Sequence, residues 1–296
     1  MMCCSSFMVL PWCQPLAGSG HGNLKLRGTP ARQRQKIAWP ACARPLPGLE
    51  PSDRLCRLAS REEAYMGRSA YRRWRDRLPE RMHSRAGRFW AWLDMMVVDH
   101  GFMRPFFNRP EQVVPGIWRS NQPTPGRLRR LTEQQGIKAV LNLRGESTRG
   151  AYALEKHTCD ELGLDLIDLH LASRRPPHPQ QVEALLQVLD SAPRPLLLHC
   201  KSGADRAGLA SALVLHLAGG SDDAVRRQLS MRYLHIRQAQ TGVLDDFLER
   251  YLTWHAETGG DLAEWVQHHY DRAQVKREFK PSGWANVLVD RLLRRE

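Results

Sequence analysis

Apolar positions along this chain fall into three regimes. From residue 1 to about 65 they keep neither a helical nor a strand period, and proline, glycine and arginine are frequent, so the stretch reads as disordered. Between 68 and 98, arginines alternate with Tyr71, Trp74, Phe89, Trp90, Trp92, Leu93, Met95 and Met96, which suits one amphipathic helix or two short ones. Its apolar face is expected to pack on the rest of the chain. The alternative is a helix lying on anionic lipid, arginine to one side and tryptophan to the other. From Val113 onward the pattern becomes strand, helix, strand, helix, strand, loop, helix. Strands near 138–143, 164–171 and 195–199 alternate with helices, which implies an α/β fold with a mainly parallel central sheet flanked by helices. Thr124-Pro125 starts one helix, with threonine as N-cap and proline in the first turn, and Pro179 starts another over Gln180 to Asp190. Helices are also predicted over 207–218, 221–232 and 241–256. The stretch Asp261 to Glu296 again reads as helical, with Trp265, Tyr270, Phe279 and Trp284 packing on the domain.

Composition sharpens this division. A chain of 296 residues with 42% hydrophobic residues can build one sizeable core. The expected organisation is a basic leader (1–65), a basic amphipathic extension (66–110), a catalytic domain (111–258) and a helical C-terminal extension (259–296). The net charge of +13 is concentrated at the front: residues 1–110 hold 19 basic and 8 acidic residues, which leaves +2 for the rest. A near-neutral domain therefore carries a basic leader. Nucleic-acid binding is not expected, because no binding module accompanies the arginines. Seven cysteines, an odd number, show neither a disulfide framework nor metal-ligand spacing, so a reducing cytoplasm and no metal or other cofactor are expected. The apolar run Ser6 to Leu10 lacks a basic flank and a cleavage pattern, and no segment has the length and apolarity of a membrane span. Met66 is a candidate start of the mature protein.

The candidate chemistry sits at His199-Cys200-Lys201-Ser202-Gly203-Ala204-Asp205-Arg206. This stretch follows the apolar run Pro195 to Leu198, read as a buried strand, and precedes Ala207 to Leu215, read as a helix. A tight loop between strand and helix turns its backbone N–H groups inward, and the helix dipole adds positive character at the same point. The loop from Lys201 to Arg206, with Ser202, Gly203, Ala204 and Asp205, is thus a candidate phosphate-binding cradle. The same field favours the thiolate of Cys200, the candidate nucleophile. Arg206 presents a planar fork that matches two phosphoryl oxygens. Gly203 lies where the backbone turns sharply, and Gly208 is expected to let the new helix pack closely on the sheet.

The pattern H-C-x-x-G-x-x-R at His199, Cys200, Gly203 and Arg206 resembles the signature of the cysteine-dependent protein tyrosine and dual-specificity phosphatase superfamily. Upstream, Gly116 to Pro123 and Gly136 to Arg144 look like the opening of its compact bacterial and fungal members. The likeness runs from about Val113 to Tyr251. It implies phosphomonoester hydrolysis through a phosphocysteine on a phosphotyrosyl or broader dual-specificity protein substrate. A phosphorylated lipid head group is the nearest rival, and a phosphate-binding module that has lost catalysis is another reading. Sulfur transfer of the rhodanese kind does not fit the pattern.

Members of that superfamily usually place the general acid on a separate loop about thirty residues before the cysteine. Here the corresponding loop, Ala172 to His178, contains no carboxylate. Asp168 lies 32 residues ahead of Cys200 but reads as part of a strand. Asp205 stands beside Arg206, and similar aspartate-arginine pairs occur in myotubularin-like phosphatases; its competing reading is a helix N-cap. Ala207 replaces the hydroxyl residue the resemblance would place after the arginine, so breakdown of the intermediate is expected to limit turnover unless Ser202 or a water takes over that contact. His199 is expected to tune the thiolate, and Lys201 to add charge at the rim, as in tensin-type phosphatases. Arg119 and Arg144 read as solvated surface charges with a lesser claim to the pocket mouth.

Overall fold

The computed structural model describes residues 70–282. The leader 1–65 and Trp284 lie outside the described residues. Five strands form one sheet: β1 (Glu111–Val114), β2 (Ile117–Asn121), β3 (Ala139–Asn142), β4 (Asp165–Asp168) and β5 (Leu196–Cys200), in the spatial order β1-β2-β5-β3-β4. Only β1 and β2 run antiparallel; β5 is parallel to β2 on one side and to β3 on the other. The α/β architecture with a mostly parallel sheet is therefore present, and the β1–β2 hairpin is an addition to the expected strands.

A central parallel strand must be apolar on both faces, and Leu196, Leu197 and Leu198 supply this. Leu196, Leu198 and Cys200 face a layer made by α5 (Pro179–Ser191), α6 (Arg206–Leu217), α8 (Val243–Thr258) and α9 (Leu262–His268). Leu197 faces the other layer, with Leu128 and Leu131 of α3 (Pro125–Gln135) and Cys159 of α4 (Gly150–Leu162). Trp265, Tyr270 and Phe279 join the first of these cores, and Val275 of α10 (Arg272–Glu278) is buried in it. Thr124 Oγ1 accepts the Arg127 N–H at 3.3 Å, the cap its sequence position calls for.

Two elements are shorter than their patterns suggest. Strand β4 is regular only to Asp168, although Leu169 N–H still donates to the Asn142 carbonyl at 3.0 Å and Leu171 N–H to the Leu143 carbonyl at 3.2 Å. The helix expected over 221–232 is only α7 (Asp222–Arg226). Beyond it the N–H groups of Gln228 and Leu229 bond three residues back, at 3.1 Å each, so the chain tightens and unwinds. That turn packs on α6: a Cβ at Gly208 would meet the Gln228 carbonyl at 2.8 Å. Gly208 thus serves contact with residues 228–229 rather than with the sheet.

The extension before β1 takes the form of two short helices, α1 (Ala70–Asp76) and α2 (Arg85–Leu93), the latter continuing through a π turn (Asp94–Val98) to a 3₁₀ turn (Gly101–Phe106). Ser84 Oγ caps α2 by accepting the Gly87 N–H at 3.0 Å. The apolar positions divide: Met95, with Trp74 and Met96 beside it, packs against Ala151, Ala153 and Leu154 of α4 as expected, while Tyr71, Phe89, Trp90 and Trp92 do not. The inward positions are Gly87, Ala91, Asp94, Met95, Asp99, Gly101 and Arg104, while Phe89, Trp90, Trp92, Val97, Val98, Phe102 and Phe106 are exposed. Small residues win the inner face because α2 crosses α4 closely: a Cβ on Gly150 would stand 2.3 Å from the Ala91 carbonyl oxygen.

This close crossing can be tested against an unhindered glycine. Gly150→Ala is expected to lower stability by about 1–3 kcal/mol in urea unfolding, since overpacking must separate two helices. Gly126→Ala in α3, where an added Cβ meets nothing within 4 Å, is expected to be neutral or stabilising by up to about 1 kcal/mol.

Candidate active site

Strand β5 delivers Cys200 at its last residue and α6 begins at Arg206, so the five residues between form the loop. Its orientation is set from outside. Gln122 N–H donates to the Lys201 carbonyl at 3.3 Å, Asn108 Nδ2 to the Ser202 carbonyl at 2.7 Å, and an Arg119 terminal nitrogen to the Gly203 carbonyl at 2.7 Å. In a trans peptide the N–H points opposite to the C=O. Three carbonyls drawn outward therefore leave the following amides facing the interior. The Gly203 N–H accordingly donates to Cys200 Sγ at 3.3 Å. Gly203 itself has φ +76°, and a Cβ there would lie 2.7 Å from the Asn121 nitrogen of β2. Only glycine turns there and fits.

Arg119 is corrected from a surface charge to a buried brace. It is 2% exposed, stacks 3.6 Å from the Tyr233 ring centroid, and also donates to Gln228 Oε1 at 2.6 Å. Burial pushes its guanidinium down to about 10. Arg144 is likewise no solvated charge: it grips Asp99 through two nitrogens, at 2.8 and 3.1 Å, and also reaches Gln122 Oε1.

Asp99, 1% exposed, is the meeting point of the extension and the loop. Besides Arg144 it pairs with Arg104, with Arg149 at 3.4 Å and with Lys201 of the loop at 3.7 Å. Burial alone would raise its carboxyl, but the charges of Arg144 and Arg104 outweigh it and hold Asp99 well below the usual carboxylate range. His199 is fully buried on the opposite side of β5. Its Nε2 lies 2.8 Å from Glu155 Oε1 of α4, within ion-pair distance but poorly angled for a hydrogen bond, and its Nδ1 is 3.2 Å from the Cys200 carbonyl.

The two candidate acids are held differently. Asp205 occupies the N-cap position of α6 but makes no side-chain cap; its carboxylate turns instead to His235 Nδ1 at 2.7 Å. His235 Nε2 faces Asp245 Oδ2 of α8 at 2.5 Å. An imidazole with a carboxylate at each nitrogen donates to both, as the doubly protonated ring. Burial would lower its pKa, but the hydrogen bonds to Asp205 and Asp245 prevail and carry it up to about 9. Asp168 accepts from Asn142 Nδ2 at 2.8 Å and from the Tyr152 hydroxyl at 2.6 Å. Its carboxyl is raised, with desolvation as the leading cause against those two donors. Ser202 Oγ accepts the Ala204 N–H at 3.4 Å, inside the loop.

The structure thus brings Cys200, Lys201, Ser202, Gly203, Ala204, Asp205 and Arg206 into one loop, with His199 behind it and Asp168 on a strand two places away. Sequence reasoning missed Asp99, Asn108, Gln122, Glu155, His235 and Asp245. Glu155 and Asp245 left a signal, each a carboxylate among the buried positions of a helix; the rest come from outside the regular helices and strands. A cavity of about 320 Å³ bordered by Pro79, Met82, Thr148, Tyr152 and His157 lies beside α4 and includes no loop residue.

Residues 107–240 match the family described as "DSP-PTPase phosphatase fused to NAD+ Kinase". No curated protein matches the chain. Among solved structures it is similar to the core catalytic domain of the PP-IP phosphatase SIW14 from S. cerevisiae, at 21% identity and TM-score 0.40, over 50% of this chain and 92% of that one. TpbA of P. aeruginosa is similar at 16% identity and TM-score 0.41, over 54% of this chain and 89% of that one.

The site makes a pH-dependent contribution to stability. A histidine raised from its unfolded value stabilises fully below about 6.5 and loses that contribution as pH rises through about 9. Urea midpoints of the native protein are therefore expected to fall from pH 6.5 to 9.5 relative to His235→Gln, which removes the titration. Parallel pH curves for the two proteins would contradict the assignment of His235.

Proposed function

We propose that the chain hydrolyses a phosphomonoester through a phosphocysteine at Cys200, a reading supported by the match of residues 107–240 to a DSP-PTPase phosphatase family. The observation that carries the reading is the Gly203 N–H donated to Cys200 Sγ, within a loop whose carbonyls are held outward. Inward amides suit a thiolate and, beyond it, the equatorial oxygens of a phosphoryl group. Cys200 Sγ attacks phosphorus and the bond to the leaving oxygen breaks. Arg206 and the loop amides hold the phosphoryl oxygens. The proton on His235 Nδ1 passes through Asp205 to the leaving oxygen, which leaves His235 neutral and Asp205 again a carboxylate. Asp245 keeps the remaining Nε2–H of the ring in place. In the second step water attacks phosphorus, the S–P bond breaks, and the water proton returns to Asp205 and His235. His199, pinned by Glu155, orients the strand end that carries the sulfur.

The substrate proposed is a phosphotyrosyl or broader dual-specificity phosphoprotein, in the cytoplasm, where the thiol stays reduced. Among the described residues no helix is long and apolar enough to cross a membrane. A second reading, a phosphorylated lipid head group, is favoured by Lys201 and Arg144 beside the loop, which suit a substrate with further anionic groups.

Cys200→Ser is expected to abolish release of phosphate from an aryl phosphate; turnover that survives removes the nucleophile. Asp205→Asn is expected to cost about 10²–10⁴-fold in kcat on substrates with poor leaving groups, and much less on activated aryl phosphates. Asp168→Asn is expected to leave that leaving-group dependence unchanged; the reverse outcome exchanges the two roles. With Ala207 unable to supply a hydroxyl, stopped-flow mixing is expected to show a burst of aryl alcohol equal to the enzyme concentration.

A further inference from the structure

The segment Arg85 to Phe106 buries Ala91 and Met95 but leaves its rings outside. Its inner side holds three charged residues, Asp94, Asp99 and Arg104, each at most 3% exposed. Its outer side holds Phe89, Trp90, Trp92, Val97, Val98, Phe102 and Phe106, with Val97 at 61% and Phe106 at 82%. Seven of the ten exposed large hydrophobic residues among the described residues belong to this one segment. Scattered exposed apolar residues need no explanation, but a contiguous stretch of them marks a surface made for contact. The rings also associate with one another: Phe89 stacks on Trp92 at 6.3 Å and meets Trp90 edge-on at 5.7 Å.

We propose that this face docks the protein onto an anionic lipid bilayer. The choice of a bilayer rests on charge and chemistry. Residues 70–109 contain nine arginines and four acidic residues, and two of those four acids, Asp94 and Asp99, are turned inward and matched there. Arg77, Arg81, Arg85 and Arg109 are exposed beside the apolar residues. Arginine flanking tryptophan and phenylalanine suits the head-group boundary, where rings enter the acyl edge and guanidinium groups meet lipid phosphates.

Docking there would present the site to the lipid surface, because the same segment is bolted to the phosphate loop. Asp99 meets Lys201, Asn108 Nδ2 holds the Ser202 carbonyl, and Asn121 Nδ2 fixes the carbonyls of Arg104 and Phe107 at 2.7 and 2.6 Å. The inference deepens the proposed function, on which its substrate half rests: the phosphate removed is carried by an amphiphile in the bilayer. The docking half stands without it.

Sedimentation of the full chain with phosphatidylcholine vesicles, with and without phosphatidylserine, tests the docking. Binding is expected only with the anionic lipid and to weaken with added salt. The double variant Trp92→Glu, Phe102→Glu, exposed and outside the catalytic machinery, is expected to bind at least about tenfold more weakly while keeping full turnover of a soluble aryl phosphate. Cys200→Ser is expected to lose turnover and still bind, so failure of catalysis and failure of docking are distinguishable. No sedimentation with either vesicle, or equal sedimentation of the double variant, overturns the proposal. So does a dimer in light scattering that the double variant dissociates, which would assign the face to a second copy of the chain.

Discussion

Everything at the site depends on where three carbonyl oxygens point. A loop of five residues between a strand and a helix has no intrinsic reason to turn its amides toward one centre. Here Arg119, Asn108 and Gln122 take the carbonyls of Gly203, Ser202 and Lys201 from outside, and the amides face inward as a consequence of peptide planarity. Each such bond is worth about 0.5–1.5 kcal/mol net, and somewhat more where the donor is charged. The three together suffice to hold one loop conformation against the alternatives. Burying Arg119 to do this is costly, and the cost is offset by its stack on Tyr233 and its bond to Gln228.

The extension before the sheet touches the loop at two residues, Asp99 and Asn108. Asp99 offers one carboxylate to four cations from three places: Arg104 from its own segment, Arg144 and Arg149 beyond β3, and Lys201 from the loop. With positive charge in excess around it, the cluster tolerates an ionised aspartate at 1% exposure. It also explains why charged residues, not aromatic ones, occupy the inner side of residues 94–104. The loop's rim lysine is thereby tied to residues a hundred positions earlier, and anything that moves the extension also moves Lys201.

Much of this architecture was legible because it follows from local rules. Leu196 to Leu198 could only be a strand buried on two faces, Thr124-Pro125 could only begin a helix well, and the spacing of His199, Cys200, Gly203 and Arg206 placed the loop. Other features were illegible for a common reason, that a side chain's partner is chosen by the fold. Arg119 and Arg144 look like surface arginines until a carbonyl and a carboxylate come within reach. Asp205 looks like a helix cap until His235 arrives from thirty residues downstream. Phe89, Trp90 and Trp92 signalled burial by composition, yet α2 crosses α4 so closely at Gly150 that Gly87 and Ala91 take the inner face of α2 and these rings are left outside.

The arrangement around His235 bears on the loop after Asp168, which carries no carboxylate. An acid on a mobile loop must bring its proton into the site at each turnover. An acid inside the phosphate loop has no such motion, but its carboxylate accepts from His235 and must be given a proton before it can deliver one. A partner that shares a proton with it meets that need. His235, buried between Asp205 and Asp245, holds one proton more than a neutral imidazole and has a basicity, about 9, that keeps the proton in the chain at neutral pH. In the proposed reaction Asp205 needs only to lie between His235 and the leaving oxygen. On that reading Asp245 works alongside Asp205, because the hydrogen bond and charge of each carboxylate raise the basicity of the ring against its burial.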